Sequence, residues 1–274
     1  MRIVHSFINH SGKLTFNYFC NIVCFTLSCL LVKRKLDYKM ILYADSKTIE
    51  FMSKIGTPYD EFHIIESINY PHSNIYAYPK FLAMVNEPIG SIHIDGDVFL
   101  FGNNFEKILN FKDYDLICQC IETLDNFDAK YAWDLASDEL KRFNYPEWAR
   151  KNIIEMFNCG VIGINNPQLK DEYFKLYWNC LEQYKYCAIN RNGTPDIIFE
   201  QSFLLDMCKH KKYKFKTVLD NKNLSKSAKN LEYTHILGNI KYTRPTIKWV
   251  LSKIKEIDIQ IWKNLKNFSK LCNI

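Results

Sequence analysis

The chain has 274 residues, 47% of them hydrophobic, with 9 Gly and 8 Pro against 17 Tyr and 19 Phe; this is enough for a full globular core and excludes a fibrous, linker-rich or disordered protein. A net charge of +6 favours phosphate-bearing ligands or an anionic surface, but no RNP-like motif, zinc-finger spacing or dense basic run supports nucleic-acid recognition. The ten cysteines include no CxxC pair, which argues against a zinc ribbon, and most sit in apolar stretches, as free thiols do in a reducing, cytoplasmic setting.

In chain order, a strand is predicted over Ile3–Ile8. The apolar segment Phe19–Val32 comes next, followed by Lys33-Arg34-Lys35. A secretory leader carries its positive charge before the apolar run, and a run of about fourteen residues is short for a bilayer. The segment is therefore expected to be a buried helix, starting near Phe16. Further strands are predicted at Lys39–Tyr43, Phe62–Ile65, Ser91–Ile94, Leu116–Gln119 and Val161–Ile164, with helices beginning near Ser46, Pro79, Asn104, Pro167 and Ile197. This alternation is the pattern of an α/β fold with a mostly parallel central sheet flanked by helices, and such sheets place their ligand sites at the carboxyl ends of the strands.

Between Ile121 and Arg150 the pattern becomes irregular, with Asp125, Asp128, Asp134, Asp138 and Glu139 among Trp133 and Trp148. This stretch is read as an excursion from the sheet and an acceptor-side lid. From Thr246 to Leu271, apolar residues at helical spacing (Ile247, Val250, Leu251, Ile254, Ile257, Ile261, Leu265 and Phe268) alternate with lysines. The expected division is a domain over 1–245 and a basic amphipathic helical extension over 246–274. Two readings of the extension stay open: a helix packed on the domain with a solvated lysine face, or a peripheral dock onto an anionic membrane.

The most informative segment is Ser91-Ile92-His93-Ile94-Asp95-Gly96-Asp97-Val98-Phe99-Leu100. Two carboxylates at i and i+2 on an extended chain point to one side and can share an ion. Gly96 between them would let a diphosphate approach the backbone. Oxygen ligands suit Mn²⁺ or Mg²⁺, which complete their shells with substrate phosphate oxygens. The competing reading is a solvated turn after an edge strand. Apolar residues on both sides weaken it, because unpaired carboxylates next to a core are costly.

Four segments, in this order, resemble the GT-A-fold glycosyltransferases, and within them bacterial relatives of family 8, which includes glycogenin and lipopolysaccharide galactosyltransferases. They are Ile41-Leu42-Tyr43-Ala44-Asp45; Pro79-Lys80-Phe81 leading to His93-Ile94-Asp95-Gly96-Asp97; Asn158-Cys159-Gly160-Val161-Ile162-Gly163; and Glu200-Gln201 followed by His235-Ile236-Leu237-Gly238-Asn239-Ile240-Lys241. The resemblance implies a metal site of Asp95, Asp97 and His235, with Gly238 and Lys241 at the diphosphate. It places Ser6, Asp45 and Lys80 near the nucleotide-sugar donor, and Asn158, Glu200 and Gln201 at the transferred sugar. Asp45 has a second reading as the N-cap of the helix at Ser46.

The implied activity is transfer of a hexose from a UDP-sugar donor to a glycan or lipid-linked acceptor with a divalent cation, with retention of configuration. The setting would be surface-polysaccharide or lipopolysaccharide synthesis at the cytoplasmic face. The sequence departs from the family where Tyr242-Thr243-Arg244-Pro245 follows Lys241 in place of the frequent Pro-Trp, and in residues 121–150. Two other function classes stay open: a metal-dependent nucleotidyltransferase or phosphohydrolase, and a noncatalytic glycan-binding protein.

Overall fold

Strands buried on both faces read as continuous aliphatic runs, with no alternation of polar and apolar residues, and the first two strands have that character. The computed structural model describes residues 1–9, 12–65, 77–124, 130–141, 145–150, 152–184 and 196–271. Its first half contains β1 (Arg2–Phe7), α1 (Phe16–Lys35), β2 (Lys39–Ala44), α2 (Ser46–Ile55), β3 (Glu61–Ile64), α3 (Tyr78–Asn86), β4 (Ile92–Ile94), β5 (Val98–Leu100), α4 (Phe105–Leu109) and β6 (Leu116–Thr123). There follow α5 (Lys130–Leu140), β7 (Glu155–Ile164), α6 (Pro167–Tyr184), a π-helix (Asp196–Ser202), α7 (Phe203–Lys211), β8 (Phe215–Thr217), α8 (Leu224–Leu231), β9 (Tyr233–His235), a 3-10 helix (Gly238–Tyr242), α9 (Arg244–Ile257) and α10 (Ile259–Leu271).

The chain forms two compact units. The first comprises Met1–Ile68, Ile92–Lys107 and Ala228–Ile274; the second comprises Asn69–Ser91 and Ile108–Ser227. In the first, β1 lies between β2 and β4, parallel to both, and β3 is parallel to β2. A separate antiparallel ribbon joins β5 to β9, pairing Val98 with His235 and Leu100 with Tyr233. In the second, β6 pairs antiparallel with β7 and parallel with β8. The architecture is α/β, with mostly parallel strand pairing and flanking helices, as the sequence predicts.

Helix α1 starts at a Thr15 cap, whose side chain accepts from the Tyr18 amide. It is long and apolar enough to cross a membrane, and 78% of its most apolar window is buried inside the structure. The expected buried helix is thus present from Phe16, and it runs three residues past the apolar run, to Lys35. The eight described cysteines, among them Cys20, Cys24 and Cys29 on this helix, are free and buried; burial pushes the Cys20 thiol up to about 12.

Strand β1 buries His5 completely. Its Nδ1 lies 2.7 Å from the Tyr59 hydroxyl and its Nε2 3.2 Å from Ser28 Oγ. Burial lowers its pKa from 6.5 to about 3. The unfolded chain takes up a proton here near pH 6.5 that the folded chain refuses until about pH 3, so stability falls as pH drops through that window. The expected loss between pH 7 and 5 is about 2 kcal/mol. Chemical denaturation at the two pH values should show that drop in the native chain and its absence in His5→Gln.

One expectation needs revision. Residues 121–150 are not a detached lid where they are described: β6 runs on to Thr123, and α5 buries Trp133, Ala136 and Leu140 in the core of the second unit. The irregular reading arose because this helix alternates core residues with acids such as Asp134 and Asp138. Asp125 and Asp128 lie outside the described residues. The C-terminal helices pack into the first unit, the first of the two readings left open for them. Ile247, Val250 and Ile254 of α9 and Ile261, Leu265 and Phe268 of α10 are buried, and Phe268 meets Phe19 and Phe51. Their apolar stripe is therefore occupied by the fold, and the lysines face outward.

Candidate metal centre and a second group of polar residues

The carboxylates of Asp95 and Asp97 come together through a turn. Strand β4 ends at Ile94, and the Asp95 carbonyl accepts from the Val98 amide at 3.0 Å, so Asp95 to Val98 forms a tight reversal into β5. The alternation expected of an extended chain is absent, and the turn brings the acids together in its place. Gly96 is needed for a packing reason: a Cβ there would stand 2.2 Å from the Phe25 ring, so only glycine lets helix α1 approach the turn.

His235 reaches this turn because β9 pairs with β5. Val98 lies opposite His235, and the Ile236 amide donates to the Asp97 carbonyl at 3.0 Å. One ligand atom from each of Asp95, Asp97 and His235 lies within 4.8 Å of the others. His235 Nε2 is 3.4 Å from Asp97 Oδ1, and the Asp97 side chain is 12% exposed. Three donor atoms this close together could be shared by one divalent cation. Two carboxylates and one imidazole are donors that Mn²⁺ or Mg²⁺ accepts.

Lys241 donates to Asp97 Oδ2 at 2.7 Å, leaving Oδ1 on the side of the imidazole. Burial by itself would raise the Asp97 carboxyl; the hydrogen bond and charge of His235, together with the Lys241 ammonium, outweigh it and hold the acid well below the usual carboxylate range. Burial likewise opposes the Lys241 charge, and Asp97 overrides it, so the ammonium is held above its ordinary value. Gly238 has φ +60° with nothing within 4 Å of where a Cβ would be, and it opens the 3-10 turn that carries Lys241. Such a backbone favours glycine and leaves open space beside it.

The other residues of this unit that the resemblance places near a donor, Ser6 and Asp45, are engaged within the fold. Ser6 Oγ lies 2.8 Å from His93 Nε2. Asp45 caps α2, accepting from the Thr48 amide at 3.0 Å and the Thr48 hydroxyl at 2.7 Å, and it also accepts from the Asn9 amide at 2.9 Å. The N-cap reading of Asp45 is the one these contacts describe.

In the second unit, Lys80, Asn158 and Glu200 are buried, and Gln201, next to Glu200, is partly buried. Lys80 Nζ pairs with Glu200 Oε1 at 2.7 Å and donates to the Cys159 carbonyl at 2.9 Å. Asn158 donates to Glu122 Oε1 at 2.6 Å and accepts from the Gly160 amide at 2.9 Å. Glu200 and Gln201 ride on the π-helix, an irregular winding often found at functional sites. Gln201 Oε1 and Ser202 Oγ are buried without a hydrogen-bond partner, so each has capacity to bind a ligand group. Sequence reasoning missed His93 and Glu122. The first was visible as the residue two before Asp95; the second lies at the start of the stretch read as irregular.

Among solved structures, the chain is similar to the glycosyltransferase GlyE of Streptococcus pneumoniae TIGR4, with 12% identity and a TM-score of 0.50; the match covers 99% of this chain and 64% of that one. It is also similar to the galactosyltransferase LgtC, solved in complex with donor and acceptor sugar analogs, with 14% identity, 73% and 70% coverage and a TM-score of 0.43. A third is mouse xyloside xylosyltransferase 1, with 15% identity, 79% and 84% coverage and a TM-score of 0.42. The likeness to GlyE shows a glycosyltransferase-like GT-A fold. No match is found among curated proteins. A family model matches residues 1–267, and the chain belongs to that family, described as Family of unknown function (DUF6734).

Proposed function

We propose that this chain is a divalent-metal-dependent glycosyltransferase that moves a hexose from a nucleoside-diphosphate sugar, UDP-hexose by preference, to a glycan or lipid-linked acceptor. The convergence of Asp95, Asp97 and His235 carries the reading, because it joins a two-acid turn to a histidine from the far end of the chain. Asp95, Asp97 and His235 would hold Mn²⁺ or Mg²⁺, which when bound supplies a Lewis acid for the diphosphate leaving group. Lys241 places a fixed positive charge beside that position, where a preorganised cation stabilises negative charge as it grows. The left-handed backbone at Gly238 leaves room for phosphate oxygens. In the second unit, Gln201 and Asn158 offer an amide oxygen and amide hydrogens of the kind that hydroxyl groups of a sugar require, and Lys80 holds Glu200 in place.

The resemblance to family 8 supports a retaining reaction and a role in surface-polysaccharide or lipopolysaccharide synthesis in a bacterial cytoplasm. The outward lysines of α9 and α10 suit a peripheral position on an anionic inner membrane face. A panel of nucleotide sugars tested with Mn²⁺ should give UDP release from one donor, abolished by a chelator and restored by added Mn²⁺, with the product mass fixing the transferred sugar. Release of sugar phosphate in place of UDP, or turnover indifferent to chelation, would overturn the reading.

A further inference from the structure

We infer that His93 is a positioning residue for the cation: it orients Asp95 from behind through its Nδ1, with Ser6 setting the ring. The inference rests on the metal reading above. His93 is 2% exposed, and its two nitrogens face different partners. Nε2 lies 2.8 Å from Ser6 Oγ, and Nδ1 lies 3.6 Å from Asp95 Oδ1. With the Ser6 hydroxyl donating to Nε2, the ring's proton sits on Nδ1, the buried nitrogen nearer the Asp95 carboxylate, so a small shift of either side chain would join them.

The two acids are then supported differently. Asp97 has one oxygen occupied by Lys241 at 2.7 Å. Asp95, on the more exposed side of the turn with 29% of its side chain accessible, has the His93 ring behind it. A carboxylate that ligates a metal binds best when an outer partner fixes its orientation, and loss of such a partner costs about 10- to 100-fold in metal affinity. Strand pairing holds the ring in place, since β1 and β4 bring Val4 opposite His93 and Ser6 follows two residues later. Ser6 is thereby engaged with the metal site from behind, where the resemblance had placed it beside the nucleotide.

The test is Mn²⁺ titration of the full chain, read by electron paramagnetic resonance of the free aqua ion, with thermal unfolding as a control. His93→Leu should bind Mn²⁺ about 10- to 100-fold more weakly than the native chain. His93→Asn places an amide N–H near the position of Nδ1 and should recover most of that loss. His93→Gln places its amide near Nε2, keeping the Ser6 contact alone, and should stay weak. Equal affinity in native and Leu chains, or recovery by Gln and not Asn, overturns the inference. Should the Leu variant unfold, the Asn and Gln comparison decides. A native chain that binds no Mn²⁺ removes the metal reading and the inference with it, whereas native binding abolished by Asp97→Ala but unchanged by His93→Leu removes the inference alone.

Discussion

Asp97→Ala should lower donor turnover by about 10³-fold, the rate equivalent of the several kcal/mol that a Lewis acid contributes to leaving-group stabilisation. The effect is expected to exceed that of any other single change in the first unit, because Asp97 serves three neighbours. It is the acid beside His235 at 3.4 Å, the acceptor for Lys241 at 2.7 Å, and through its carbonyl the backbone anchor of Ile236. The substitution removes the first two roles and leaves the third. The β5 to β9 ribbon should therefore persist, and the variant should fold while failing to bind Mn²⁺. Initial-rate UDP release alongside far-ultraviolet circular dichroism checks both halves. Native-like turnover would remove Asp97 from the site, and loss of folded structure would show the acid to be a structural element first.

Glu200→Ala should destabilise the fold by about 3–5 kcal/mol, because it leaves the Lys80 ammonium buried without its counter-charge. Lys80 is 8% exposed and Glu200 5%, so solvent screens the pair little. The Cys159 carbonyl, 2.9 Å from Lys80 Nζ, would stay in contact with the cation but carries no charge to balance it. For a chain of this size the loss corresponds to a fall in Tm of about 10 °C. A double change, Lys80→Met with Glu200→Leu, should recover much of it, since replacing a buried pair with apolar groups is often neutral. Thermal scans of the three chains test this, and a Glu200→Ala chain as stable as the native one would refute it. Activity in the double variant separates roles: a pair that only supports the fold leaves turnover intact, while one that takes part in the reaction abolishes it.

Element positions were legible wherever a long aliphatic run or a cap marked them. Arg2–Phe7, Lys39–Ala44 and the helices at Phe16, Ser46 and Pro167 lie within a residue or two of expectation, because burial on both faces and an Asp45 cap leave clear traces in sequence. Strands β5, β8 and β9 are three residues each, too short to show any period. The helix over Lys130–Leu140 was hidden by acids on its exposed face.

Within the site, the ligand residue types could be picked out, but the geometry that joins them could not. Asp95 and Asp97 suggested an extended pair and form a turn. Gly96 suggested an opening for phosphate, and on one side it is filled by Phe25. Residue 235 entered through a resemblance of motifs; the ladder that carries it to Asp97 is a tertiary pairing that no local window contains. His93, a buried polar residue inside an apolar strand, was the local anomaly that could have been noticed.

The antiparallel ribbon of β5 and β9 also sets a temporal order. Asp97 and Lys241 are 144 positions apart, so during synthesis the two acids emerge long before their histidine and lysine partners. Until β9 has docked, Asp97 has neither the His235 imidazole nor the Lys241 ammonium beside it, and the three-residue set is incomplete. A nascent chain that has not yet reached β9 therefore lacks two of the four side chains that meet at the turn, His235 and Lys241.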